Sequence, residues 1–138
     1  MPLFGQENLV LANTKDLASL DYKNALENCF HLATHLGIDK TLKKDNLEAI
    51  MAPSEGVPFL IDPVCGDYNF HNSHTHAAVA GYPNISVPAG FINELPIGVS
   101  FFSSSYQEGR LIQFSYAFEQ ASQFRKPPKF LKQLDLLK

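Results

Sequence analysis

Cysteine is scarce in this sequence of 138 residues, which contains only Cys29 and Cys65. Two isolated cysteines, neither in a Cys-x-x-Cys pair, exclude a disulfide framework and a thiolate metal site. The sequence also lacks a basic, then apolar, export signal at its start, and no apolar run approaches the roughly 18 residues that a membrane-spanning helix needs. We therefore expect a cytoplasmic protein that has no membrane partner.

Positive charge is absent from the middle of the chain. Residues 46–107 contain no lysine or arginine and five acidic residues, whereas residues 108–138 carry six basic and three acidic residues. The formal net charge of the whole chain is −3, so nothing attracts it generally to a nucleic acid or an anionic membrane. A long stretch of low charge that proline and glycine interrupt favours strands and loops covered on both sides.

Apolar periodicity predicts two main helices. The first begins with Asp21 as its N-cap and ends at Gly37. Its apolar face comprises Ala25, Leu26, Cys29, Phe30, Ala33 and Leu36. The second helix covers residues 108–124, because the two prolines of residues 126–128 prevent its continuation.

The segments between these helices predict short strands and helices. Apolar or β-branched runs predict strands over residues 47–51, 85–87 and 97–102, with a connecting turn over residues 91–96. Short helices are expected over residues 40–44 and 73–81, and a loop over residues 53–63. Because helices and strands alternate, we expect an α/β fold formed by residues 1–138 as a single unit.

Four blocks of sequence resemble the carboxyl-terminal end of the amidase signature family. They follow one another in the family's order and spacing: residues 80–91 (AGYPNISVPAGF), 95–101 (LPIGVSF), 116–122 (YAFEQAS) and 125–128 (RKPP). A weaker likeness extends back through residues 47–53 and 4–7, so the resemblance covers nearly the whole chain. It implies part of an amidase-signature fold, with a mixed sheet and flanking helices.

The resemblance implies hydrolysis of carbon–nitrogen amide bonds by a Ser, cis-Ser, Lys triad. In the family, the lysine and a Gly-Gly-Ser-Ser segment lie well to the amino-terminal side of these blocks. The sequence contains no Gly-Gly-Ser-Ser, and its only consecutive serines are residues 103–105. We therefore assign no catalytic residue, expect no cofactor, and predict a carboxyl-terminal amidase fragment that is inactive alone, the parent enzyme acting on a small-molecule amide.

Part of a larger fold would expose strand edges and apolar surface. We therefore expect either a truncated product that self-associates or a fragment that has settled into a compact fold of its own. The alternative function is a non-catalytic module that binds a partner, such as a second copy of itself or a complementing amino-terminal amidase portion supplied as another chain.

Substrate contacts are expected in residues 62–75, because in the family the segment ahead of the Ala-Gly-Tyr-Pro block helps to line the pocket. Asp67, His71 and Ser73 are the candidate pocket residues. The alternative for Asp67 is that its side chain caps a turn.

Four further patterns favour ordinary structural roles. His71, His74 and His76 lie close enough in sequence to bind a transition metal, but a polar loop before a short helix is the favoured interpretation. His31 and His35 share one face of the first helix, and an exposed pair on a solvated face is the favoured interpretation there. We assign no metal site. A Ser-His-Asp triad that uses residues 103–105 lacks a Gly-x-Ser-x-Gly turn. The basic residues after the last helix, Arg125, Lys126, Lys129 and Lys132, indicate a solvated surface.

Overall fold

The computed structural model describes residues 5–62, 64–67 and 72–130. Three helices and one π-helical turn precede the first strand: α1 (Glu7–Asn13), α2 (Leu20–Ala33), the π-helical turn (Thr34–Ile38) and α3 (Asp39–Lys44). The sequence did not predict α1. The remaining helices are α4 (Thr75–Ala80) and α5 (Glu108–Ser122), which confirm the two helices predicted in these regions to within two residues.

The N-cap of α2 is Ser19, so the prediction of Asp21 is wrong by two residues. The backbone of Ser19 is extended, and its Oγ accepts a hydrogen bond of 3.2 Å from the backbone N–H of Tyr22. Asp21 lies instead in the first turn of α2, where its charge complements the positive end of the helix dipole.

Gly37 does not end the first helix, which is a second correction. Helix α2, the π-helical turn and α3 follow one another with no residue between them. A Cβ at residue 37 would lie 2.7 Å from the backbone carbonyl oxygen of Leu32. Glycine is therefore needed here for close approach of two backbone segments, and not for the left-handed conformation that terminates many helices.

The sheet contains three strands in the order β1-β3-β2, and both pairs are antiparallel. The strands are β1 (Ile50–Pro53), β2 (Asn84–Ile92) and β3 (Leu95–Phe102). The strand predicted at residues 47–51 therefore lies further along the chain than expected, and the two later strands are longer than predicted. The α/β class with flanking helices is confirmed, and the described part of the expected mixed sheet is antiparallel.

A two-residue turn replaces the connecting segment expected over residues 91–96. Asn93 and Glu94 both have positive φ, at 48° and 66°, as a tight hairpin turn of the primed type requires. The sequence predicts both strands too short because each of them contains a proline. Pro88 lies on the edge strand β2 beside a register shift, and Pro96 lies on β3 beyond the residues that pair with β1.

Helices cover both faces of the sheet. Successive residues of β3 point to opposite faces, so they pack against different helices. Val99 and Phe101 pack with Leu111 of α5 on one face. Phe102 packs on the other face against residues from the amino-terminal helices and α4: Ala33, Ile38, Leu42, Ala77 and Ala80. Within the described residues, no helix is both long and apolar enough to cross a membrane.

Helix α2 packs against the core through only a small part of its surface. Ala33 is its only buried residue, although Ala33 belongs to the apolar face that the sequence predicts. Leu26 and Phe30 of that face are 57% and 46% exposed, respectively. The chain described here therefore leaves most of an amphipathic helix without a packing partner.

Candidate functional site

Three serine side chains meet on the face of the sheet that also carries Phe102. Ser86 and Ser100 are direct partners in the register of β2 and β3, and Ser54 follows the last residue of β1. Their Oγ atoms are separated by 3.1 Å (Ser54 to Ser86), 2.7 Å (Ser86 to Ser100) and 2.7 Å (Ser100 to Ser54). We call this group the serine triangle.

The three corners of the serine triangle differ in burial. Ser100 is 1% exposed, because it lies on the central strand, whereas Ser54 is half-buried and Ser86 is exposed. Gly98 makes room for the side chain of Ser54, since a Cβ at residue 98 would lie 2.9 Å from the Oγ of Ser54. The triangle is therefore anchored in the sheet and open to its surroundings at Ser86.

Ser73, one of the candidate pocket residues, lies next to the serine triangle. Its backbone N–H donates a 3.1 Å hydrogen bond to the carbonyl oxygen of Ser54, and its Oγ donates to the same oxygen at 3.4 Å. Glu55 and Asn72 form an isolated antiparallel β-bridge, which adds one residue pair to this contact. The loop that the sequence singled out is thus attached to the sheet at the triangle.

The other two candidates are not brought to this point within the described residues. Asp67 is exposed and makes no hydrogen bond to Ser73 in the part of the chain that the structure describes. His71 lies outside the described residues. The residues that follow Asp67 lie outside the described residues, and the turn-capping carboxylate seen within them is that of Asp62.

Asp62 closes a turn through its own carboxylate. Its Oδ1 accepts hydrogen bonds from the backbone N–H groups of Val64 at 2.8 Å and Cys65 at 3.0 Å. These two bonds, chiefly the one from Cys65, hold the pKa of the Asp62 carboxyl below its usual value. Asp62 is half-buried and both donors belong to its own turn, so this is a local turn and not a buried acid site.

Comparison with known proteins identifies the fold that carries this site. No family model matches the chain. A probable amidase of Arabidopsis thaliana is 32% identical over 129 residues, which are 93% of this chain and 22% of that protein. The solved structure of native peptide amidase from Stenotrophomonas maltophilia superposes with a TM-score of 0.84 and 40% identity, over 94% of this chain and 26% of that one.

The chain is similar to a part of the amidase signature enzymes. A shorter match, 42% identical over 50 residues, joins it to a glutamyl-tRNA(Gln) amidotransferase protein of Ectopseudomonas mendocina and covers 10% of that protein. The chain thus spans about a quarter of the peptide amidase and of the Arabidopsis amidase, and less of the amidotransferase. The resemblance inferred from the four sequence blocks is confirmed.

The serine triangle of this partial amidase fold contains no activated nucleophile among the described residues. Each hydroxyl can donate to one neighbour and accept from the other, which closes a ring. No hydrogen bond joins the ring to a lysine, histidine or carboxylate in the described part of the chain. A serine needs such a base to become a nucleophile, so the triangle by itself is a polar structural cluster.

The first of the three consecutive serines, Ser103, also has a structural explanation. Ser103 is buried, and its Oγ donates a 2.8 Å hydrogen bond to the backbone carbonyl of Glu48. This bond joins the end of β3 to the segment that enters β1. The structure therefore gives Ser103 a role in holding the sheet and places no base beside it within the described residues.

The histidines form no metal site in the described part of the chain. No group of three histidine, cysteine, aspartate or glutamate side chains is arranged to hold an ion among the described residues. His74 precedes α4 and His76 is exposed on it. The rings of His31 and His35 lie 5.3 Å apart, and His35 is 65% exposed at its side chain, as expected for a pair on a solvated face.

One polar contact near the helices was missed by the sequence analysis. The hydroxyl of Tyr82 donates a 3.0 Å hydrogen bond to Oδ2 of Asp39, and His35 Nδ1 lies 3.8 Å from the same oxygen. Burial, followed by the hydrogen bond to Asp39, raises the pKa of the Tyr82 phenol. Asp39 and Tyr82 are 43 residues apart, and no spacing pattern relates them.

Proposed function

We propose that this chain forms the part of an amide hydrolase that supplies the β2–β3 hairpin and the loop leading to it, and that hydrolysis requires triad residues from outside residues 1–138. The observation that carries the proposal is the match to peptide amidase, which covers nearly all of this chain and only 26% of that enzyme. The absence of a base at the serine triangle, among the described residues, supports it.

The proposed substrate class is a peptide amide or another small carbon–nitrogen amide. The name of the peptide amidase relative supports a peptide amide, because the match to it covers 94% of this chain. Ser73 is the proposed pocket residue with the firmest support, since the serine triangle fixes its position. We propose Asp67 and His71 as further contacts from the same loop.

The decisive experiment measures amide hydrolysis by the purified 138-residue chain on a panel of peptide amides and aliphatic amides. We expect no turnover by the chain alone. We expect turnover when the chain is mixed with a peptide amidase that lacks the homologous segment, because the mixture restores all parts of the fold. A mixture containing that peptide amidase portion alone is the control.

Two results would contradict the proposal. Turnover by the chain alone, lost in a Ser103→Ala variant, would show that residues 1–138 contain their own nucleophile. A mixture that forms a stable complex but hydrolyses no amide would show that the chain does not complete an active amidase.

An interaction module is the second candidate function, and one surface favours it. A groove of about 400 Å³ lies between α2 and α4 and is lined by Lys23, Leu26, Glu27, Phe30 and Val79. Leu26, Phe30 and Val79 are all substantially exposed, which is typical of a surface that another protein covers. The proposed occupant is the remainder of an amidase or a second copy of this chain.

A further inference from the structure

A cavity of about 560 Å³ lies between the β2–β3 hairpin and the segment that follows α5. Its volume falls within the range of about 300–1,000 Å³ that is usual for small-molecule sites. The cavity lies at the turn end of the hairpin, away from the pair Ser86 and Ser100 of the serine triangle. Its walls come from residues 88–96 of the hairpin and residues 125–130 after the helix: Pro88, Phe91, Glu94, Leu95, Pro96, Arg125, Lys126, Pro127, Pro128, Lys129 and Phe130.

Two polar contacts hold the segment after α5 over the hairpin. Gln123 ends α5 in a left-handed conformation, with φ at 52°, which redirects the chain. The Nζ of Lys126 then lies 5.0 Å from the centre of the Phe91 ring, and the Nζ of Lys129 lies 2.7 Å from Oε1 of Glu94. A cation above an aromatic face and an ion pair thus connect the two walls of the cavity.

The cavity combines apolar walls with an excess of positive charge. Prolines, Phe91 and Leu95 supply the apolar surface, and the described residues that line the cavity include three cations and one carboxylate. Glu94 pairs with Lys129, whereas Arg125 makes no hydrogen bond or ion pair within the described residues. A guanidinium presents a planar pair of N–H donors that matches a carboxylate, so Arg125 is the natural partner for an anionic group.

We propose that this cavity binds an amphipathic carboxylate, with its carboxylate at Arg125 and its apolar chain between Phe91 and the prolines. The charge of the cavity selects an anion, and the apolar walls select a ligand with a hydrocarbon portion. The proposal is independent of amide hydrolysis, because it uses neither the serine triangle nor the loop beside it.

The test titrates isotope-labelled 138-residue protein with octanoate and, separately, with octan-1-ol, and follows the backbone amide signals by nuclear magnetic resonance. Both probes have the same hydrocarbon length, so the comparison isolates the carboxylate. We expect octanoate to shift the signals of residues 88–96 and 125–130 and to bind about tenfold more tightly than the alcohol.

Arg125→Gln should reduce the affinity for octanoate to that for octan-1-ol. Arg125 is exposed, so this variant should keep the fold, which the unchanged signals of α3 and α4 would verify. Lys43→Gln is the matched control, because it removes an exposed cation from α3, outside the cavity, and should leave both affinities unchanged.

Three outcomes would overturn the proposal. Equal affinity for octanoate and octan-1-ol would show that the cavity does not select an anion. Signal changes confined to the groove between α2 and α4 would place binding elsewhere. A preference for octanoate that survives Arg125→Gln would show that the guanidinium does not hold the carboxylate.

Discussion

Gly37 lies where the π-helical turn brings two parts of the backbone together. A Cβ at this residue would meet the carbonyl oxygen of Leu32 at 2.7 Å, and backbone cannot yield as a flexible side chain can. We therefore expect Gly37→Ala to lower the free energy of unfolding by about 1–3 kcal/mol, measured by urea denaturation.

Gly109 in α5 is the matched control for Gly37. A Cβ at residue 109 would meet nothing within 4 Å, and alanine is the better helix former. Gly109→Ala should leave the free energy of unfolding unchanged or raise it by up to about 1 kcal/mol. Equal losses in both variants would show that close approach at Leu32 is not what requires glycine at residue 37.

Tyr82 provides a pH-dependent test of the contact with Asp39. Because burial and the hydrogen bond to Asp39 raise the pKa of the phenol in the folded state, the unfolded chain loses the phenolic proton first as the pH rises. The stabilisation is therefore complete below the ordinary tyrosine pKa of about 10 and is lost as the pH rises through the raised value.

The measurement is a tyrosinate absorbance titration of the folded protein, compared with that of Tyr82→Phe. The transition that disappears in the variant should lie above the ordinary tyrosine range. Asp39→Asn should lower that transition only in part, because burial, the larger cause, remains. A missing transition at or below the ordinary value would contradict the assigned contact.

At the scale of helices and strands, local sequence predicted elements well where one signal dominated. The last helix, α5, has a clear apolar face and ends before two prolines, and α4 ends at Gly81 with φ at 67°, so both were predicted to within two residues. The strands β2 and β3 were predicted too short, because Pro88 and Pro96 are breakers in most strands. Only the pairing pattern makes these two prolines acceptable, and pairing is not visible in a single sequence.

The amino-terminal helices and the candidate site depended on contacts between distant residues. Gly37 is an ordinary helix terminator by sequence, and only its approach to Leu32 explains why a glycine lies inside the helical segment. The serine triangle joins residues that are 14 to 46 positions apart, so no motif predicts it. Ser73 was identified from the family resemblance, and the structure adds the hydrogen bonds that hold it beside Ser54.

For the whole molecule, the main feature is an apolar surface that the described residues do not cover. Leu26, Phe30 and Val79 line the groove between α2 and α4, while Ile112 is 58% exposed on α5 at the other face of the sheet. The net charge of −3 offers little electrostatic repulsion between copies. Burial of apolar surface is then the dominant force, and it favours association through the apolar groove between α2 and α4.

We expect the 138-residue chain to sediment above its monomer mass of 15.3 kDa, and Phe30→Glu to return it to that mass. Ile112→Glu is the matched control, since it places the same charge on an exposed apolar residue outside the groove. Both residues are exposed, so neither variant should unfold the chain. If Ile112→Glu dissociates the assembly and Phe30→Glu does not, α5 is the associating face. If the groove is the face, an amidase portion that completes the fold should compete with self-association, because both would cover the same side chains of α2 and α4.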